Sequence, residues 1–220
     1  MWPLSYSTAV TLLSWCLTLG ESSKFSEIAS NPAYYPRALV MDNYYLACVG
    51  RKTSLQIIQS SNLSGNVWIP GSFITTDSAA SSSLDNCFLF RCADKTLLAT
   101  YRHHLNCTGA VCLTFRIMLS RSSDNGVTWE SPEVVMQSSP PYGLWEPFIY
   151  FQTPNTTRLA IVYSKELPLN AKSETEQDIV QQSSQNNGIT WSPAVLVWHR
   201  PSSRNGMPGV TTLGKNKLGT

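Results

Sequence analysis

The sequence carries one short pattern at a fixed interval. Ser122, Asp124, Gly126, Thr128 and Trp129 form S-x-D-x-G-x-T-W. Ser184, Asn186, Gly188, Thr190 and Trp191 repeat it with Asn in place of Asp. A worn copy runs from Ser61 through Gly65 to Trp68 and lacks the acid and the threonine. The three tryptophans are 61 and 62 residues apart. A fixed period of this size signals repeat architecture and outranks any local reading. Within a copy, Asp-Asn-Gly is turn chemistry, because Asp and Asn bond their own backbone and Gly supplies positive φ. The Val-Thr-Trp that follows favours extended chain. Each copy therefore predicts a hairpin.

A second element recurs at a similar period. Asp42-Asn43-Tyr44, Asp94-Lys95 and Asn155-Thr156-Thr157-Arg158 each lead into a short apolar run, and Gly214 to Thr220 starts the same pattern again. Two hairpins per period make four antiparallel strands. That is the blade of a β-propeller, so the fold class is all-β. Residues 23–220 then form a partial propeller domain of three blades and the start of a fourth. The chain is expected to be the N-terminal part of a longer protein, since a six-bladed ring at this period needs about 370 residues.

Composition agrees. Charged residues are 14% and aromatics 10%, against a usual charged share of about 25%. No long 3.6-period apolar stripe follows residue 25. Ser173 to Gln182 is the strongest helical candidate and reads as an acidic loop. A net charge of +2, with no run of Lys and Arg and no P-loop, is too small to argue for nucleic acid or a membrane, and neither is expected as a partner. A monomer is expected.

Residues 1–22 read as a signal peptide. Ala9 to Leu19 is an apolar run of suitable length, too short to span a bilayer. The sequons at Asn62, Asn106 and Asn155 agree with secretion. Cys16 belongs to the leader. Cys107 and Cys112 flank a turn and are placed to close a small loop. Cys87 either bonds Cys92 or joins the 107–112 loop, and one cysteine is left over. No C-x-x-C and no histidine cluster suggests a metal, and no cofactor motif is present.

The S-x-D-x-G-x-T-W turns resemble the Asp-box (BNR) repeats of sialidase-like propellers. "YYPRALVM" (34–41), "LLATYRHH" (97–104), "GLWEPFIY" (143–150) and "RNGMPGVTTL" (204–213) resemble fungal exo-arabinanases of glycoside hydrolase family 93. The resemblance covers most of residues 32–220. It implies a six-bladed, retaining enzyme that removes disaccharides from α-1,5-arabinan. It also implies that the Asp boxes are architectural and lie on the outer hairpins.

Chemistry then belongs to the inner strands. Glu146, between Trp145 and Pro147, is the candidate catalytic acid, in an apolar setting where burial raises a carboxyl pKa. Arg37 sits on the first inner strand, where the resemblance implies a substrate-binding arginine. Arg102, His103 and His104 end what reads as the second inner strand and are placed for sugar hydroxyls. Glu166 ends the third. Trp145 completes the expected substrate-binding set.

Retaining hydrolysis needs two carboxyls about 5 Å apart. The second is expected beyond residue 220, so the 220 residues alone are expected to be inactive. Two other readings stand beside this one. A non-catalytic carbohydrate-binding propeller would lack the second carboxyl. An exo-sialidase would need three arginines around the substrate carboxylate, and only Arg37 is well placed in the sequence.

Overall fold

A computed structural model describes residues 33–51, 53–109, 111–153, 156–167, 176–201 and 203–210. The expected signal peptide, the Asn155 sequon and the fourth polar turn lie outside these residues. The described residues form twelve strands and no helix. They make three four-stranded antiparallel sheets, each in simple sequence order. The first holds β1 (Tyr34–Val40), β2 (Tyr45–Arg51), β3 (Ser54–Ser60) and β4 (Trp68–Thr76). The second holds β5 (Ser83–Arg91), β6 (Leu97–Leu105), β7 (Thr114–Ser122) and β8 (Glu133–Ser138). The third holds β9 (Leu144–Phe151), β10 (Leu159–Glu166), β11 (Gln177–Ser184) and β12 (Val195–Trp198). β11 claims the second half of the stretch expected to be an acidic loop. Its alternating buried and half-buried side chains fit a strand, not a loop.

The sheets stack as propeller blades. β1, β5 and β9 lie side by side along the axis, each at the inner edge of its sheet. Strand patterning explains the stacking. The second strands β2, β6 and β10 are nearly continuous buried runs, because both of their faces are covered. In β6 the two faces separate with period two. Leu97, Ala99 and Tyr101 pack against Leu46, Cys48 and Ile57 of the first blade. Leu98 packs with Leu144, Leu159 and Ile161 of the third. The outermost strands carry the exposed side chains, and all four residues of β12 are exposed.

The repeated turns join the third and fourth strands of each blade, at the rim. The Ser122 hydroxyl donates to Asp124 Oδ1 at 2.7 Å and accepts from Gly126 N at 2.8 Å. Thr128 donates to the same carboxylate from its backbone N at 2.9 Å and its hydroxyl at 2.6 Å. Ser184, Asn186, Gly188 and Thr190 make the same four contacts, with the side-chain bond to threonine reversed so that Asn186 Nδ2 donates to the Thr190 hydroxyl. Gly126 and Gly188 take φ of 86° and 74°, a region that L side chains avoid. The worn copy is held differently, by Trp68 Nε1 donating to Gly65 O at 2.8 Å.

The turns also weld each blade to the one before it. Ser72 of β4 donates to Gly126 O at 2.5 Å, and Trp129 Nε1 donates back to the Ser72 hydroxyl at 3.2 Å. Arg121 of β7 donates to the carbonyls of Asn187 and Gly188.

Cys48 of β2 is bonded to Cys87 of β5, a staple between the first two blades. Cys107 and Cys112 close the small loop as expected. The pairing of Cys87 with Cys92 is therefore corrected. Among the described residues Cys92 is the free cysteine, and its burial between the second and third blades pushes the thiol up to about 12.

Candidate functional site

Each inner strand breaks its register at the same level. The β1–β2 ladder shifts between Tyr34 and Arg37, and β5–β6 between Asp85 and Phe88. In β9–β10 the shift lies between the partners of Phe148 and Trp145. At each bulge one residue adopts left-handed φ: Tyr35 at 46°, Asn86 at 52° and Glu146 at 54°. Met207 continues the series with φ of 53°. A proline follows three of the four, in Tyr35-Pro36, Glu146-Pro147 and Met207-Pro208. Non-glycine residues held in this region cost about 1–3 kcal/mol each and concentrate at functional sites. Bulges of this kind re-aim a side chain. Here Tyr35, Asn86, Glu146 and Met207 all line one cavity of about 330 Å³. That size lies within the range of small-ligand pockets.

Arg102, Trp145, Gln177, Arg204 and Gly206 complete the wall. The Arg102 guanidinium lies over the Trp145 ring, 4.9 Å from its centroid, and pairs with Asp85 at 3.3 Å. His104 meets the Trp145 ring edge-on at 4.7 Å. Gly143 makes this packing possible. A Cβ there would stand 2.1 Å from Glu166 Oε2 and 2.6 Å from Trp145 Nε1.

The loop of residues 203–210 approaches the cavity from the third blade. Asn205 Nδ2 donates to Gln177 O at 2.8 Å, and Met207 N donates to Glu146 Oε2 at 2.5 Å. Gly206 leaves room for that carboxylate, since a Cβ would meet Glu146 Oε2 at 3.2 Å.

The predicted residues divide. Arg102, Trp145 and Glu146 meet at the cavity. Arg37 stands behind it, donating to Pro147 O at 3.3 Å. Burial pushes the Arg37 pKa down, against the attraction of the Glu146 and Asp85 carboxylates.

Arg102, His103, His104 and Glu166 end the second strands β6 and β10, not the inner ones. Neither histidine is open to a sugar. His103 Nε2 is 2.8 Å from Asp77 Oδ2, on the opposite face of the strand from Arg102. His104 Nε2 donates to Leu144 O at 2.8 Å, so Nδ1 is left to accept from Arg102 Nη1 at 3.3 Å. Burial, reinforced by the Arg102 charge, pulls the His104 pKa down to about 4 and keeps the ring neutral. Glu166 lies under Gly143, with Arg204 Nη2 3.9 Å away.

Glu146 is half-buried beside a guanidinium and a backbone N–H rather than sealed in apolar surroundings. The more deeply buried acid is Asp85, a residue the sequence does not single out. Its pKa is raised by burial, against the pull of Arg102. Asp85 also accepts from Asn86 N at 2.8 Å and sits where a Cβ on Gly50 would be, 2.9 Å away. The signal that could have found Tyr35 and Met207 is the X-Pro pair recurring near the blade period. Asn86-Cys87 lacks the proline, and nothing local marks Asp85. Among the described residues, no group of three His, Cys, Asp or Glu could hold a metal ion.

Stacked four-stranded antiparallel blades with a cavity at their inner edges define a β-propeller fold, three blades of which lie among the described residues. Solved structures agree on that fold. An α-L-arabinanase of Penicillium chrysogenum, complexed with arabinobiose, superimposes with a TM-score of 0.60 at 20% identity, over 83% of this chain and 54% of its own. A family 93 α-L-arabinofuranosidase of Fusarium graminearum, also with arabinobiose, gives 0.61 at 20% identity, over 80% and 52%. An endo-arabinase of Bacteroides thetaiotaomicron gives 0.53 at 13% identity, over 80% and 67%. The chain thus spans about half the length of the two fungal enzymes. No family model matches the sequence, and no curated protein does.

Proposed function

We propose that these blades belong to a secreted, retaining exo-glycosidase acting on α-1,5-arabinan, with Glu146 as its nucleophile. One observation carries the reading: a strained, left-handed bulge residue on the third inner strand delivers a carboxylate into the cavity. That strain has a purpose if the carboxylate must meet a ligand. The two fungal structures of the same fold hold arabinobiose, which supports a disaccharide of neutral pentoses as the ligand class. Two disulfides among the described residues suit an oxidising compartment and support secretion.

In this reading a Glu146 oxygen bonds the anomeric carbon as the glycosidic bond breaks. A second carboxyl protonates the departing oxygen, and water then cleaves the glycosyl ester with the same group as base, so configuration is retained. Asp85 is bound to Arg102 and Asn86 N, and Glu166 lies under Gly143. The second carboxyl is therefore assigned to a further blade of the ring. Arg37 places positive charge beside Glu146. Trp145 under Arg102 forms a flat wall, and Tyr35, exposed at the cavity mouth, offers a second aromatic face.

Calorimetry tests the binding half directly. The protein should bind arabinobiose, and both Glu146→Gln and Trp145→Ala should weaken binding by about tenfold or more, roughly the loss of one charge-assisted hydrogen bond or of an aromatic contact. Unchanged affinity in both variants would move the ligand elsewhere.

A further inference from the structure

The cavity draws three guanidiniums together. Arg102 and Arg204 line it and Arg37 stands behind it. Three cations around one pocket would ordinarily select an anionic ligand. Each has a carboxylate near it, though the Arg204 guanidinium is largely exposed. Arg102 pairs with Asp85 at 3.3 Å, Arg204 reaches Glu166 at 3.9 Å, and Arg37 lies within the fields of Glu146 and Asp85.

Of the three carboxylates, Asp85 has the seat built for it. It is 9% exposed, takes the Asn86 N–H, and fills the space that Gly50 leaves open in the neighbouring strand. It is also the carboxylate that acts on two of the three arginines, Arg102 by contact and Arg37 through space. Glu146 points into the cavity, where a ligand will meet it, so it is not free to serve as a fixed counter-charge.

We propose that Asp85 is a specificity-determining residue, which neutralises the Arg37–Arg102 pair and so makes the cavity reject sugar carboxylates and accept neutral sugars. The inference rests on the cavity being a sugar site, as argued above. The bidentate geometry that makes arginine a carboxylate receptor is available only to a guanidinium whose donors are free. Asp85 Oδ2 accepts from Arg102 Nη2 and His104 Nδ1 from Nη1, so each terminal nitrogen of the fork already has a partner. An incoming uronate would have to displace a buried carboxylate or share its cation, and two like charges in a low-dielectric pocket repel.

The test compares arabinobiose with a galacturonic acid disaccharide by calorimetry on the full chain, with circular dichroism to confirm folding. The wild type should bind arabinobiose and discriminate against the acidic sugar by about tenfold or more. Asp85→Asn keeps the shape and the acceptor for Asn86 N but removes the charge. It should shift the preference towards the acidic sugar by about tenfold, and added salt should erase that gain. Asp85→Asn/Arg102→Gln removes both partners, which buried pairs tolerate better than loss of one. It should fold even where the single variant does not, and should restore discrimination. Equal binding of the two sugars by the wild type would overturn this inference and leave the sugar site standing. So would an Asp85→Asn variant that loses affinity for both sugars alike. Binding of neither sugar by the wild type would remove the sugar site and this inference together.

Discussion

Asp124 and Asn186 occupy the same place in successive turns and use it differently. Asp124 accepts from three donors, Ser122 Oγ, Thr128 N and Thr128 Oγ1. Asn186 accepts two of the equivalent bonds and turns its amide N–H outward to donate to the Thr190 hydroxyl. The Thr128 hydroxyl and backbone bonds hold the Asp124 carboxyl down at about 2, against an ordinary 3.8. Its contribution to stability is therefore full above pH 3.8 and fades as pH falls towards 2. Asp124→Asn should melt close to wild type at neutral pH, because the third blade already folds with that side chain, and should lose this acid dependence. Thermal melts from pH 7 to 2 read both effects, and a large loss at neutral pH would contradict them. His104 acts in a higher window. The unfolded imidazole binds a proton near 6.5, while the buried one resists until about 4, so acidification between those values should destabilise the fold. His104→Gln should flatten that part of the stability curve. An unchanged slope would mean that other groups set it. At this scale the sequence was half legible. Glu146 shows itself by an acid set between Trp and Pro. Asp85 lies in an unremarkable Leu-Asp-Asn-Cys run, and its role comes from Gly50 and Arg102, which other strands supply.

The inner-strand bulge is the element that builds the site. Tyr35, Asn86 and Glu146 reach one cavity because the ladder slips at the same height in each blade, and Met207 joins them from the loop of residues 203–210. The proline after Tyr35, Glu146 and Met207 has no N–H to give to a ladder, so a break there costs little. Second strands read as inner ones because β6 and β10 open on apolar runs, Leu97–Ala99 and Leu159–Tyr163, that are buried throughout. In a propeller the strands covered by both neighbouring blades are the apolar ones, and the axial strand faces a wet channel. Disulfides act at the same scale. Cys48–Cys87 spans 39 residues and two blades, while Cys107–Cys112 spans 5 residues of one loop. Loop-closure entropy gives about 4 kcal/mol for the first and about 2 for the second. Cys48→Ala/Cys87→Ala should lower the denaturant midpoint clearly more than Cys107→Ala/Cys112→Ala does. The reverse order would mean that the small loop is the more important tie.

Blade packing was the most legible feature of the whole molecule, since the turns mark the period and four strands fill it. Each turn also holds the preceding blade, through Ser72 to Gly126 and Arg121 to Gly188, so the repeat sequence encodes the stacking as well as the hairpins. Asn86, Glu146 and Met207 follow nearly the same period, 60 and 61 residues apart, but they differ in residue type, so the period alone could not reveal the contents of the cavity. The role of Glu146 is tested most directly by turnover in a chain long enough to close a six-bladed ring. Incubated with linear α-1,5-arabinan and followed by proton NMR, that protein should release disaccharide from chain ends with the anomeric configuration retained. Glu146→Gln should cut the rate by about a thousandfold or more with the fold intact, since the amide cannot act as the nucleophile. Wild-type turnover by Glu146→Gln, or products of inverted configuration, would contradict the assignment.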